Sequence, residues 1–122
     1  MAIGSFRDLT VWRKSMGMVK VTYQATQCFP KEEMFGLTSQ IRRAAVSIPS
    51  NIAEGYGRQS KGDYVHFLKI AQGSAAELET ELILATEIGL LSKGPSEQLL
   101  RELDEVKKML YSLIRSPYNG KK

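Results

Sequence analysis

Apolar side chains return along this chain in alternating steps of three and four, the spacing that gathers them on one face of an α-helix. The pattern is set four times. Leu9, Trp12, Met16, Val19, Tyr23 and Thr26 form the first stripe, and Leu37, Ile41, Ala44 or Ala45, Ile48 and Ile52 the second. Tyr64, Leu68, Ala71, Ala75, Leu78, Leu82, Ala85 and Gly89 form the third, and Leu99, Leu103, Val106, Leu110 and Leu113 the fourth. Phe29-Pro30, the glycines Gly55, Gly57 and Gly62, and Lys93-Gly94-Pro95 punctuate the intervals. The prediction is all-α: a single domain over 1–122, an antiparallel up-and-down four-helix bundle with helices near 8–28, 32–59, 63–91 and 96–115 and a basic tail at 116–122.

The polar residues at the breaks predict the ends. Asp8, Asp63 and Ser96 are placed to cap helices one, three and four, and Pro30-Lys31-Glu32-Glu33 to open helix two. Pro49 removes one backbone donor from helix two, yet the step from Ile48 to Ile52 continues through it, so a kink is expected. Asn51 and Glu54 have the spacing of a capping box, and two helices broken at Ser50 is the competing reading. Counting outward from the turns sets Ala44 and Ala45 against the Gly73–Ala76 region, and Arg42 and Arg43 against Glu77, Glu79 and Glu81. On helix four, Glu97–Arg101 and Asp104–Lys108 are four apart with the acid first, the favourable order. Phe67, Ile70 and Ile83, with Leu100, Met109 and Ile114, widen the apolar stripes of helices three and four, which predicts a second buried face and self-association.

The run QIRRAAVSIPSNIAEGYGR, the preceding EEMFGLTS, the early DLTVWRKS and the later FLKIAQGSAAELETELILA carry a resemblance that covers about Phe6 to Leu91. They resemble the 23S rRNA intervening-sequence proteins, a family named for reading frames inserted in bacterial rRNA genes. The family is built of up-and-down helices, and some relatives close into homopentameric rings. The resemblance therefore implies a homopentamer, and it brings no catalytic residues. More distantly, the chain is similar in architecture to the accessory proteins of diversity-generating retroelements, pentameric bundles that bind nucleic acid and a reverse transcriptase. That similarity implies RNA or DNA, and a protein, as partners.

Composition narrows the setting. Hydrophobic residues make up 43% and charged residues 25%, ordinary for a soluble domain, and no apolar run approaches the ~20 residues that span a bilayer. No membrane partner is expected. The start, MAIGSFRDLTVWRKS, lacks the order of a signal peptide, and the lone Cys28, expected as a small packed residue, has no internal disulfide partner, so a cytoplasmic setting is expected. The net charge of +4 is unevenly spread: residues 1–61 hold nine Lys or Arg against four acids, 63–105 hold nine acids against three bases, and 106–122 hold five bases and no acid. Such segregation makes either a polyanion-binding face or charges that cancel when helices pair.

Chemistry for catalysis is sparse. One His, one Cys, no ligand pair at metal spacing and no phosphate loop point to no enzyme, no cofactor and no metal. A small helical ribonuclease of the higher-eukaryote-and-prokaryote nucleotide-binding type would need four to six residues between an Arg and a His, but Arg58 precedes His66 by seven and the better-spaced Lys61 is not arginine. Candidate nucleic-acid contacts are Arg13, Lys14 and Lys20 on helix one with Arg42, Arg43, Arg58 and Lys61 on or just after helix two, since sequence-independent affinity comes from neutralising phosphates. Trp12, on the seam, is expected in the core and not as a base-stacking platform. Two readings follow: a scaffold that holds RNA or DNA on a basic surface, or a structural or adaptor oligomer with no nucleic-acid contact.

Overall fold

The computed structural model describes residues 4–116; the tail segment 117–122 lies outside the described residues. Four helices, α1 (Thr10–Thr26), α2 (Leu37–Tyr56), α3 (Lys61–Glu87) and α4 (Lys93–Arg115), surround one hydrophobic core, with 3-10 turns at Phe6–Asp8 and Lys31–Glu33 and no strand among the described residues. Among those residues no helix is long and apolar enough to cross a membrane.

On three helices the buried face follows the apolar pattern. Leu37, Ile41, Ala44, Ala45, Ile48 and Ile52 of α2, Leu68, Ala71, Ala75, Leu78, Leu82 and Ala85 of α3, and Leu99, Leu103, Val106 and Leu110 of α4 are all removed from solvent. Helix α1 departs from it. Its buried residues are Val11, Ser15, Met18, Thr22 and Thr26, while Leu9, Trp12, Met16 and Val19 are half-buried and Tyr23 is exposed. The predicted seam is thus turned by about one residue, ~100° of helix. Hydroxyls can occupy the core face because each is satisfied within the helix: Ser15 Oγ donates to the Trp12 carbonyl at 2.9 Å, Thr22 Oγ1 to Met18 at 2.8 Å and Thr26 Oγ1 to Thr22 at 2.9 Å. Trp12, packed on the core's edge, meets the Phe6 ring edge-on with centroids 5.2 Å apart.

The helix starts also differ from those predicted. Asp8 belongs to the first 3-10 turn, where Ser5 Oγ accepts from the Arg7 amide, and extended Leu9 precedes α1 without a side-chain cap. Helix α2 begins at Leu37 and not near residue 32, because Lys31–Glu33 forms a 3-10 turn and Gly36 (φ −111°, ψ −114°) re-aims the chain. Glu33 Oε1 then accepts from the Leu37 amide at 3.3 Å. Ser60, not Asp63, caps α3, its Oγ accepting from the Asp63 amide at 3.1 Å. Ser96 lies inside α4, buried, with its Oγ 2.8 Å from Thr86 Oγ1, because α4 starts three residues earlier at Lys93. Glu97 and Arg101 form no ion pair, whereas Asp104 and Lys108 do, at 3.1 Å.

Helix α2 runs unbroken through Pro49. Asn51 is not a cap: its Nδ2 donates to the Ser47 carbonyl at 2.8 Å and to Ser47 Oγ at 2.9 Å, and Ser47 Oγ is 2.7 Å from Ser74 Oγ on α3. Small residues let these two helices approach. A Cβ on Gly55 would stand 3.1 Å from both the Tyr64 carbonyl oxygen and Phe67 Cβ. Gly73, by contrast, is exposed with open space beside it, so the close contact runs through Ala44, Ala45, Ser74 and Ala75. Helix α3 stops where Gly89 takes φ +85°, the left-handed region; the Leu90 amide donates to the Ala85 carbonyl at 2.9 Å and the Gly89 amide to Thr86 at 3.2 Å, closing a Schellman turn.

Candidate nucleic-acid interface

Four of the seven cations singled out by the sequence are committed to contacts within the chain. Arg13 Nε donates to the Arg7 carbonyl at 2.8 Å, and its guanidinium lies 3.6 Å from Asp8. Lys14 reaches across to Glu105 of α4 at 2.5 Å. Arg58 pairs with Glu54 one turn earlier and sits 4.6 Å above the Phe67 ring; its buried Nε has no hydrogen-bond partner. Arg42 donates from Nε to Thr26 Oγ1 at 2.8 Å and from a terminal nitrogen to the Tyr23 carbonyl at 3.4 Å, with its guanidinium 4.5 Å above the Tyr23 ring.

Lys20, Arg43 and Lys61 remain. All three are exposed, and among the described residues none makes a side-chain ion pair or hydrogen bond. Arg43 borders a groove of about 360 Å³ between α2 and α3 with Gln40, Ala44, Ser47 and Glu77. The seven are not gathered into one cluster: Arg42 and Arg43 stand in the first half of α2, while Lys61 opens α3 beyond the Arg58 turn. At 1.5 Å per residue about 20 Å of α2 separates Arg43 from the helix end at Tyr56, with Lys61 beyond the turn that follows.

The expected pairing of Arg42 and Arg43 with the α3 acids is not what forms. Arg42 turns to α1, because Tyr23 and Thr26 offer it two acceptors and an aromatic face. Glu79 turns to α4, where Lys107 meets it at 2.6 Å. Glu81 is left without a cation: it is 7% exposed, and its Oε1 has no hydrogen-bond partner. Burial, reinforced by the Glu77 carboxylate and a hydrogen bond to it, raises the Glu81 pKa from 4.5 to about 7. The sequence signal for this pair was the like-charged spacing of four on one helix, which pattern reading had assigned to arginine. His66 is exposed, its ring edge-on to Phe67 at 5.3 Å, and Arg58 beside it is held by Glu54. Cys28, expected to be packed, is exposed near the end of α1. Sequence reading also passed over Met34 and Phe35, which the structure places in a turn with exposures of 52% and 93%.

The fold has a solved counterpart. A crystal structure of a protein of unknown function from the S23 ribosomal protein family of Bacteroides thetaiotaomicron VPI-5482 is 27% identical, covers 88% of this chain and 100% of its own, and superposes with a TM-score of 0.79. No curated protein matches the chain. The model of the 23S rRNA-intervening sequence protein family matches residues 7–112, from the first 3-10 turn to near the end of α4. The chain belongs to that family.

Proposed function

We propose that the protein is a non-enzymatic scaffold: antiparallel up-and-down protomers that self-associate, as a pentameric ring by family resemblance, and hold RNA or other nucleic acid on the basic surfaces of α1, α2 and the start of α3. The antiparallel arrangement is supported by paired contacts that run in opposite chain directions, Ser47 with Ser74 and Gly55 with Tyr64 on one side, Thr86 with Ser96 and Glu79 with Lys107 on the other. The observation that carries the nucleic-acid reading is the exposure of Lys20, Arg43 and Lys61, none of which is in an ion pair among the described residues. Three free cations spread along one protomer release few counterions, too few for useful affinity at physiological salt. Copies linked in a ring engage one polyanion together, at raised effective concentration.

Retention of a uridine homopolymer across a salt series tests this reading. Wild-type binding should fall linearly on logarithmic axes as salt rises. Lys20→Gln, Arg43→Gln and Lys61→Gln combined should weaken it and flatten that slope. Arg42→Gln should act differently, lowering stability by about 1 kcal/mol through its lost contacts to Thr26 and Tyr23, with a smaller effect on retention. A wild-type protein that retains no RNA or DNA at low salt would leave the adaptor oligomer without nucleic-acid contact in its place. That second reading draws on the exposed apolar residues, chiefly Phe35.

A further inference from the structure

We propose that the groove between α2 and α3 takes an unpaired guanine base of a single-stranded nucleic acid, an inference that rests on the nucleic-acid reading above and names the base selected. Gln40, Arg43, Ala44 and Ser47 of α2, which steps of three and four place on one helix face, line the groove with Glu77 of α3. Its volume of about 360 Å³ lies within the ~300–1,000 Å³ of pockets that enclose small ligands. Ala44 and Ser47 are short, which leaves width for a flat ring. Ser47 is tied across to Ser74 of α3 at 2.7 Å, so the two walls are held at a fixed spacing. Gln40, Arg43 and Glu77 are exposed; among the described residues none of the three is in an ion pair, and neither Gln40 nor Arg43 makes a side-chain hydrogen bond.

The mixture of charges decides what the groove recognises. A bare phosphate would be drawn to the Arg43 guanidinium and pushed away by the Glu77 carboxylate in the same groove. A base carries no net charge and offers donors and acceptors along its edge. Gln40 and Arg43 supply donors, whereas ionised Glu77 supplies acceptors only, with about four lone-pair sites. A hydrogen bond with Glu81 occupies one of those sites and fixes the carboxylate before any ligand arrives. Guanine alone among the bases of RNA sets two donors side by side on its Watson–Crick edge, N1–H and the N2 amino group, next to an acceptor, O6. The two Glu77 oxygens accept from both donors while Gln40 or Arg43 donates to O6, the same pattern by which cytosine pairs with guanine. Adenine and cytosine set a ring acceptor beside their amino donor, and uracil flanks its one donor with two acceptors, so each would bring a lone pair against the carboxylate. The edge is open to a side chain only when the base is unpaired, which is why the ligand is a single strand.

Fluorescence anisotropy with labelled single-stranded RNAs of UUG, UUC and UU-inosine repeats, titrated at low salt, tests the site. Wild type should bind the UUG repeat at least about tenfold more tightly than UUC, the worth of one bidentate base contact. Inosine, which lacks the N2 amino group, should lose most of that preference. Glu77→Gln should abolish the preference without weakening UUC binding, since it takes a negative charge away from the strand. Arg43→Gln should weaken both RNAs alike and flatten the dependence on salt. Both positions are exposed, and unchanged helical circular dichroism confirms that the variants fold. If wild type binds UUG and UUC equally, or if Glu77→Gln keeps the preference, the guanine site is wrong while the nucleic-acid reading stands. If wild type retains neither RNA even at low salt, the nucleic-acid reading fails and the site with it.

Discussion

A carboxylate shut away from water loses solvation that only hydrogen bonds or a cation can replace, and Glu81 has one oxygen with neither. Its titration gives the sign of the effect. Unfolded, the group releases its proton near pH 4.5; folded, near 7. Between those values the native state holds the extra proton, so stability from this group is full below pH 4.5 and is lost as pH rises through 7. Glu81→Gln keeps the shape and removes the charge. It should stabilise the protein at pH 8 by on the order of 1–2 kcal/mol and remove the decline between pH 5 and 7, read from urea midpoints across the pH series. Arg42 is the opposite case, a charged group whose polar partners lie on α1 and are neutral: the Thr26 hydroxyl and the Tyr23 carbonyl.

At the scale of the helices, closeness decides. Gly55→Ala would gain up to ~1 kcal/mol of helix propensity, but its methyl would press at 3.1 Å on the Tyr64 backbone oxygen, which has no side-chain freedom to yield. The overpacking should prevail, with a net loss of about 1–2 kcal/mol seen as a lower urea midpoint at unchanged slope. The apolar stripes of α2, α3 and α4 were legible because their core positions are Leu, Ile, Val and Ala at strict spacing. Helix α1 was misread because Ser15 and Thr22 bury their hydroxyls by bonding to carbonyls of their own helix, a satisfaction that hydrophobic pattern does not register. The starts of α2, α3 and α4 shifted for a related reason: Glu33 reaches four residues ahead, and Ser60 and Ser92 occupy cap positions that the first apolar residue does not mark. At the candidate interface, the sequence supplied the cations but not their commitments. Whether an arginine faces Tyr23 or Glu81 depends on which neighbouring helix offers the nearer acceptor.

Across the whole molecule, part of the charge segregation cancels between helices, through Lys14 with Glu105 and Lys107 with Glu79. The hydroxyl-lined face of α1 reaches further than its own helix. Its fully buried apolar residues are Val11 and Met18, with Trp12, Val19, Val21 and Ala25 only partly covered, where α2 fully buries Leu37, Ile41, Ala44, Ala45, Ile48 and Ile52. With about 25 cal/mol for each Å² of apolar surface removed from water, α1 is held less strongly than its neighbour. Its amides should therefore exchange with solvent deuterium through a partial opening of lower free energy than global unfolding, while those of Ala44–Ile52 and Ala71–Leu82 exchange only with the whole molecule; equal protection across all four helices would show that α1 is held as firmly as the rest. Such an opening separates Tyr23 and Thr26 from Arg42 and sets that guanidinium free. A polyanion that captured it would then hold α1 ajar, so that binding and loosening of the first helix would rise and fall together.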